Sequence, residues 1–261
     1  MLAPTGVVLA IVPAIPPDLA DRGTLFLDFT SPHTPSKPAL ATLLTGRDVF
    51  AHGVLDDDSP PPDPIAPQLP DLVAARGVEV AGPSAGALRL LPNHLAQDRP
   101  FLLIAVGAPP DLELPPHVLL FAVAETACLL VWPRRVPVGQ RVRAQVRSLD
   151  VAPTVLDALG LADVAVEHWL PGASLLPLAE SADPRTTYRE LYLTDGRHRR
   201  GWRTPEWVLW ESPEGTTLAR PRNQLEDLAE AHPDVVAELR RRMLGHARRR
   251  AAETGRGFPD S

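Results

Sequence analysis

Ser36, Ser84, the Asp56–Asp58 run and Cys128 are the side chains on which chemistry could be built first. Ser36 opens the stretch "SKPALATLLTGRDVFAHGV" (36–54), just before an Ala/Leu/Thr run that favours a short helix. A serine hydroxyl stays protonated near neutral pH and becomes a nucleophile only beside a metal ion or a base. Its plainer role is a loop Ser or helix N-cap. Ser84 lies in Gly82-Pro83-Ser84-Ala85-Gly86, a G-x-S-x-G pattern, and Asp150 with His168 or His198 follow in the order a hydrolase triad needs. Pro83 restrains the backbone where a nucleophile elbow must be strained, so a strand-to-helix loop is the plainer reading. Asp56, Asp57 and Asp58 begin the Pro-rich "DDDSPPPDPIAPQLP" (56–70), which reads as a solvated loop more readily than as a cation site. His52 reads as a structural hydrogen-bonder, since a lone histidine more often packs than catalyses.

The elements that must position these residues follow from hydrophobic patterning. "TGVVLAIV" (5–12), "TLFLDF" (24–29), "VEVAG" (78–82), "FLLIAVG" (101–107), "HVLLFAVA" (117–124) and "ACLLVW" (127–132) are apolar, partly β-branched runs of strand length. Helices are predicted over 39–44, 67–77 and 148–160, with Gly46, Gly77 and Gly160 as their C-terminal stops and Asp150 as the N-cap of the last. Buried strands alternating with helices predict an α/β domain: a mostly parallel central sheet with helices on both faces, over residues 1–180. A small C-terminal α+β subdomain is expected over 181–261. There "TYRELYLTDGRHRRGWRTPEWVLWES" (186–212) predicts antiparallel strands, and "PDVVAELRRRMLGHARRRAAETG" (233–255) an amphipathic helix with Val235, Val236, Leu239, Met243 and Ala247 on its apolar stripe.

The 261 residues carry a net charge of −6, which argues against nucleic acid as a partner, because phosphate binding relies on clustered cations. The Arg triplets at 240–242 and 248–250 are the local exception. Glu238 stands four residues before Arg242, so a solvated helix bearing an i,i+4 pair is expected there. Trp202, Trp207 and Trp210 could form an interaction surface, but their strand spacing fits hairpin packing better. The 31 prolines are about twice the usual share of roughly 5% and imply much irregular connection. Cys128 is the only cysteine, so no intrachain disulfide is possible, and its apolar setting predicts a buried, inert thiol. The longest apolar run after the N-terminus, Val118 to Trp132, is too short for a span of about 20 residues. No membrane association and a cytoplasmic location are expected.

Four stretches, in order, resemble the sulfatase family of the alkaline phosphatase superfamily: "PPDLADRGTLFLDFTSP", "SKPALATLLTGR", "RVRAQVRSLDVAPTVLDALGL", and the tail with "WRTPEWVLW" and "QLEDLAEAHPDVVAEL". The second aligns without gaps to the family's C/S-x-P-S-R-x-x-x-L-T-G-R signature and places Ser36 at the nucleophile. The resemblance implies an esterase that attacks a sulfate or phosphate ester with a formylglycine, Ser or Thr bound to Ca/Mg or Zn. It also implies where the ligands stand: an Asp pair after the first strand, and Asp-His or Asp-Asn after a later one.

At those positions this chain has Pro13 and Ala14, and then Ala124, Glu125 and Thr126. Ala39 and Leu40 replace the Ser and Arg of the signature, and neither Lys nor His lies between Gly77 and Leu91. Thr45, Gly46, Arg47, His52 and Gly53 fit the family, at positions that shape the fold. Ser36 is therefore expected to be a vestigial nucleophile, with no metal and no other cofactor bound. The reading is a degenerate sulfatase-like protein with a binding or assembly role, engaging a protein partner or a second copy. Residual ester hydrolysis through Ser36 and a serine hydrolase built on Ser84 are the alternatives.

Overall fold

A computed structural model describes residues 6–31, 37–97, 99–107, 114–181, 190–195 and 198–256. Ser36 lies outside them.

The apolar runs become the strands of a seven-stranded sheet: β1 (Gly6–Ile11), β2 (Thr24–Thr30), β3 (Glu79–Ser84), β4 (Phe101–Val106), β5 (Val118–Val123), β6 (Cys128–Val131) and β7 (Gln140–Arg147). Their order across the sheet is β3-β4-β1-β5-β6-β2-β7. All neighbours run parallel except at β6, which is antiparallel to both β5 and β2. In β1, Val8 and Ala10 pack with Leu19, Leu91, Leu103 and Leu120 in one cluster, while Val7 and Leu9 between them are also fully buried. Period-2 alternation sends these two pairs to opposite faces, so the sheet is covered on both.

The helices are α1 (Pro17–Ala20), α2 (Lys37–Thr45), α3 (Val49–His52), α4 (Leu69–Ala74), α5 (Leu91–Ala96), α6 (Val151–Ala158), α7 (Ala162–Glu167), α8 (Leu176–Glu180) and α9 (Pro233–Thr254). Gly46 follows α2 in the left-handed region, at φ 63°, where a β-carbon is disfavoured.

A second, antiparallel sheet has the order β11-β10-β9-β8, from β8 (Leu191–Thr194), β9 (Arg200–Arg203), β10 (Val208–Ser212) and β11 (Gly215–Ala219). The apolar stripe of α9 packs on it: Val236, Leu239 and Met243 share a core with Tyr192, Trp202, Leu209, Leu218, Val49 and Phe50, edged by Val235 and Ala247. Trp202 is buried and its indole N–H donates to Glu190 at 2.8 Å, while Arg220 and Arg199 cover the rings of Trp207 and Trp210. These are packing contacts within the sheet. Arg242 Nε donates to Glu238 at 2.7 Å, the expected i,i+4 pair.

The chain divides into two compact units. One comprises Met1–Ser31, Leu43–Gly46 and Pro67–Thr186, and the other Pro32–Thr42, Arg47–Ala66 and Thr187–Ser261. The second therefore draws on 32–42 and 47–66 as well as the tail, a discontinuity that a boundary at 180 does not express.

In the first unit, the strand-to-helix turn after β7 differs from the expected helix start. A 3-10 turn over Ser148–Asp150 precedes α6, so the Asp150 carboxylate does not cap α6 but turns back to accept the Arg147 N–H at 2.9 Å. It also accepts Arg147 Nη2 at 3.1 Å and Ala173 N–H at 3.0 Å, and Asp150 is fully buried. Thr154 Oγ1 donates to Asp150 O at 2.6 Å and accepts Leu175 N–H at 2.9 Å. The Asp-x-x-Pro-Thr stretch is thus a clasp between the 171–175 segment and the start of α6. Gly172 is part of it: a β-carbon there would stand 1.9 Å from Leu149 O. Gly172→Ala is expected to lower stability by about 2–3 kcal/mol, read from urea denaturation followed by circular dichroism.

Candidate functional site

In open α/β sheets ligands bind beyond the carboxyl ends of parallel strands. β1 and β5 are adjacent and in register, Ile11 opposite Val123, and Val12 N–H donates to Val123 O at 2.9 Å. The residues just past their ends therefore share one stretch of the sheet's edge. On β1 these are Pro13 and Ala14, both exposed; on β5 they are the half-buried Ala124 and the exposed Glu125 and Thr126. Hard divalent ions take six to eight oxygen ligands, several of them carboxylates. Glu125 alone brings a carboxylate here. Among the described residues no three His, Cys, Asp or Glu side chains come together in a way that could hold a metal ion. The donor set at these two strand ends does not fit the metal that the sequence resemblance implies.

In the second unit, α2 begins at Lys37, one residue past the nucleophile position. Its first N–H, that of Lys37, donates to Asp57 Oδ1 at 2.8 Å. A helix N-terminus favours an anion, and the anion found there is the chain's own carboxylate. Lys37 Nζ reaches back to Ser59 O. Asp56 accepts the Ser59 hydroxyl at 2.7 Å, and Ser59 Oγ in turn accepts the N–H groups of Leu55 and Asp56, each at 3.1 Å. The 56–58 run lies in a loop with Asp57 and Asp58 exposed, as expected, and Asp56 and Asp57 also tie that loop together. A Ser between Asp and Pro supplies a local turn that a count of charges and prolines does not reveal.

The rest of the signature stretch is structural. His52 is fully buried: its Nδ1 accepts Val54 N–H at 3.1 Å, which leaves the proton on Nε2, within 3.0 Å of Thr42 Oγ1. Both ring nitrogens are engaged, so His52 has none left for proton transfer. Asp48 caps α3 by accepting Ala51 N–H at 3.1 Å and receives Arg250 Nε at 2.7 Å and Nη2 at 3.0 Å. His246 Nε2 stands 3.6 Å from it. Burial pushes the Asp48 carboxyl up, but the nearby His246 ring, the hydrogen bonds from Arg250 and the Arg250 charge overcome this and hold it at about 2. Burial first, then the Arg250 charge, push the neighbouring Arg47 guanidinium down.

Ser84 is exposed at the end of the edge strand β3, paired with Ala105. Asp150 follows β7 at the opposite edge, six strand steps away, roughly 29 Å at about 4.8 Å per step. Its carboxylate already serves Arg147 and Ala173. The structure does not bring the G-x-S-x-G serine and this Asp together, so a Ser84 triad through Asp150 is corrected: a sequence order of Ser, Asp and His says nothing about sheet position. His168 caps the C-terminal end of α7. Cys128 is fully buried, and burial, then the Asp150 charge, push its thiol well up, as an inert cysteine requires.

No protein-family model matches the chain, and no curated protein sequence matches it. Solved structures do. A protein in complex with its substrate D-glucosamine-2-N,6-O-disulfate aligns over 96% of this chain and 99% of its own, with a TM-score of 0.74 and 10% identity. A 2-O GAG sulfatase aligns over 95% and 93%, at 0.72 and 12%. A phosphonate monoester hydrolase from Silicibacter pomeroyi aligns over 94% and 95%, at 0.70 and 13%. The fold is the one that this sulfatase and this phosphonate monoester hydrolase have.

Proposed function

We propose that this sulfatase-fold protein is a degenerate member of the alkaline phosphatase superfamily, without metal-dependent sulfuric ester hydrolase activity, that serves a binding or assembly role with a protein partner or a second copy. The observation that carries the reading is the pair of adjacent strand ends at Pro13-Ala14 and Ala124-Glu125-Thr126, where the family's carboxylates would stand. Without them nothing at those ends lowers the pKa of a serine hydroxyl or offsets charge on the transferred group. Two further features support it. Leu40 replaces the signature Arg, and Asp57 places a negative charge at the helix terminus beside the Ser36 position. A carboxylate there repels an incoming sulfate or phosphate ester. The reading includes a cytoplasmic setting, supported by a single, buried cysteine. No described helix is long and apolar enough to cross a membrane.

The test is metal analysis of the purified protein together with turnover of 4-nitrophenyl sulfate and 4-nitrophenyl phosphate. The expected result is less than one tenth of a divalent ion per chain and no turnover that depends on Ser36. One tightly held divalent ion per chain, with turnover abolished by Ser36→Ala, would overturn the proposal and establish residual hydrolysis.

A further inference from the structure

Beyond α3 the Pro-rich loop folds back to wall a pocket of about 460 Å³, lined by Val49, Phe50, Leu55, Pro60, Pro61 and Pro64, with Asp63 and Arg256 at its polar side. Ligand pockets commonly hold about 300–1,000 Å³, so the volume suits one or two fused rings. We infer that this pocket binds a flat, uncharged aromatic molecule.

The walls argue for that ligand class. Pro60, Pro61 and Pro64 present rings and no N–H, and Phe50, Val49 and Leu55 add apolar surface. The polar groups are already spent on one another. Arg256 Nη1 donates to Ala51 O at 2.7 Å and Nη2 to Asp63, while Asp63 Oδ1 accepts Ile65 N–H at 2.8 Å. Asp63 N–H donates to His52 O at 3.1 Å. The guanidinium and carboxylate cancel, so the pocket has no net charge with which to draw an ion. A charged ligand would lose its hydration without a free counter-charge in return.

The pocket is also held open in advance. Ser59 is buried and fastens the 55–59 turn through three hydrogen bonds, and the prolines have little conformational freedom to lose. A ligand that need not order its site keeps more of its contact energy. The inference goes beyond the proposed function, since it stands whether or not Ser36 is active.

Titration of the full chain with 2-naphthol, followed by ligand fluorescence and saturation-transfer NMR, tests it. Saturable binding is expected, weakened at least tenfold by Pro61→Trp, which fills the pocket from an exposed position. Ile65→Ala, in the same loop but off the pocket's lining, should leave it unchanged; both variants should keep the wild-type circular dichroism spectrum. The anion 2-naphthoate should bind at least fivefold more weakly than 2-naphthol. No saturable binding, equal binding by Pro61→Trp, or tighter binding of 2-naphthoate would each overturn the inference. So would binding that appears only once residues 257–261 are removed.

Discussion

Asp48→Ala is expected to lower the stability of the protein by about 3 kcal/mol, combining the loss of a helix cap with that of a mostly buried ion pair. Asp48 is only 15% exposed and joins three tasks: it ends the α3 backbone, accepts two bonds from Arg250 on α9, and faces His246. Removing it takes two hydrogen bonds from the Arg250 guanidinium, which keeps Glu253 as a partner. The effect should also show in acid. The folded carboxyl is held at about 2, below the ordinary carboxylate value. A depressed carboxyl contributes its stability above the unfolded value of about 4 and loses it as the pH falls towards the folded value. The difference in unfolding free energy between wild type and Asp48→Asn should therefore shrink by about 2 kcal/mol between about pH 5 and pH 2. Urea denaturation at a series of pH values measures it. A constant difference across that window would show that the folded carboxyl is not held below the ordinary carboxylate range.

The second large effect is expected at Asp150. Asp150→Ala should cost about 3–5 kcal/mol, because it removes the charged partner of the Arg147 guanidinium, which keeps its bond to Pro171 O, and the acceptor of two backbone N–H groups. The carboxylate is fully buried, and the Arg147 side chain is 14% exposed. Asp150→Asn keeps one oxygen and should cost less than Ala. The double replacement Asp150→Leu with Arg147→Met should recover part of the loss, since a buried pair exchanged together is cheaper than one partner removed. Chemical denaturation of wild type, Asp150→Leu, Arg147→Met and the double variant closes the cycle. A double variant no more stable than Asp150→Ala would place the main role of Asp150 in its bond to Ala173 rather than in the ion pair.

Much of the first unit was legible because its strands are buried on both faces and read as continuous apolar runs. β7 was not legible that way. As an edge strand it carries Gln140, Arg141, Arg143, Gln145 and Arg147, whose polarity hides the apolar alternation of a strand. The short helices α3, α5, α7 and α8 have four to six residues, too few to show a helical period. The antiparallel direction of β6 has no signature in composition at all. The tail's β11 was missed because "GTTLA" is polar and short, although α9 was plain from its stripe.

For the site, the residue types at Pro13, Ala14 and Ala124 could be read directly, since a residue's inability to bind a hard ion is a property of its type. What the aspartates at 48, 56, 57 and 150 do instead could not be read. Their partners lie up to 202 residues away in the chain, and only the folded backbone brings them together.

The two outer strands of the seven-stranded sheet set a limit on self-association. β7 exposes Arg141 and Arg143, and β3 carries Pro83, which has no N–H to offer. A second molecule approaching β7 edge-on would have to bury the charge of Arg143 beside the Arg141–Asp21 ion pair, and one approaching β3 would find an interrupted ladder. Both borders are thus guarded against sheet extension and against fibril growth by the same route. If copies of this protein pair, these two borders of the seven-stranded sheet do not favour a contact made by strand-to-strand zippering.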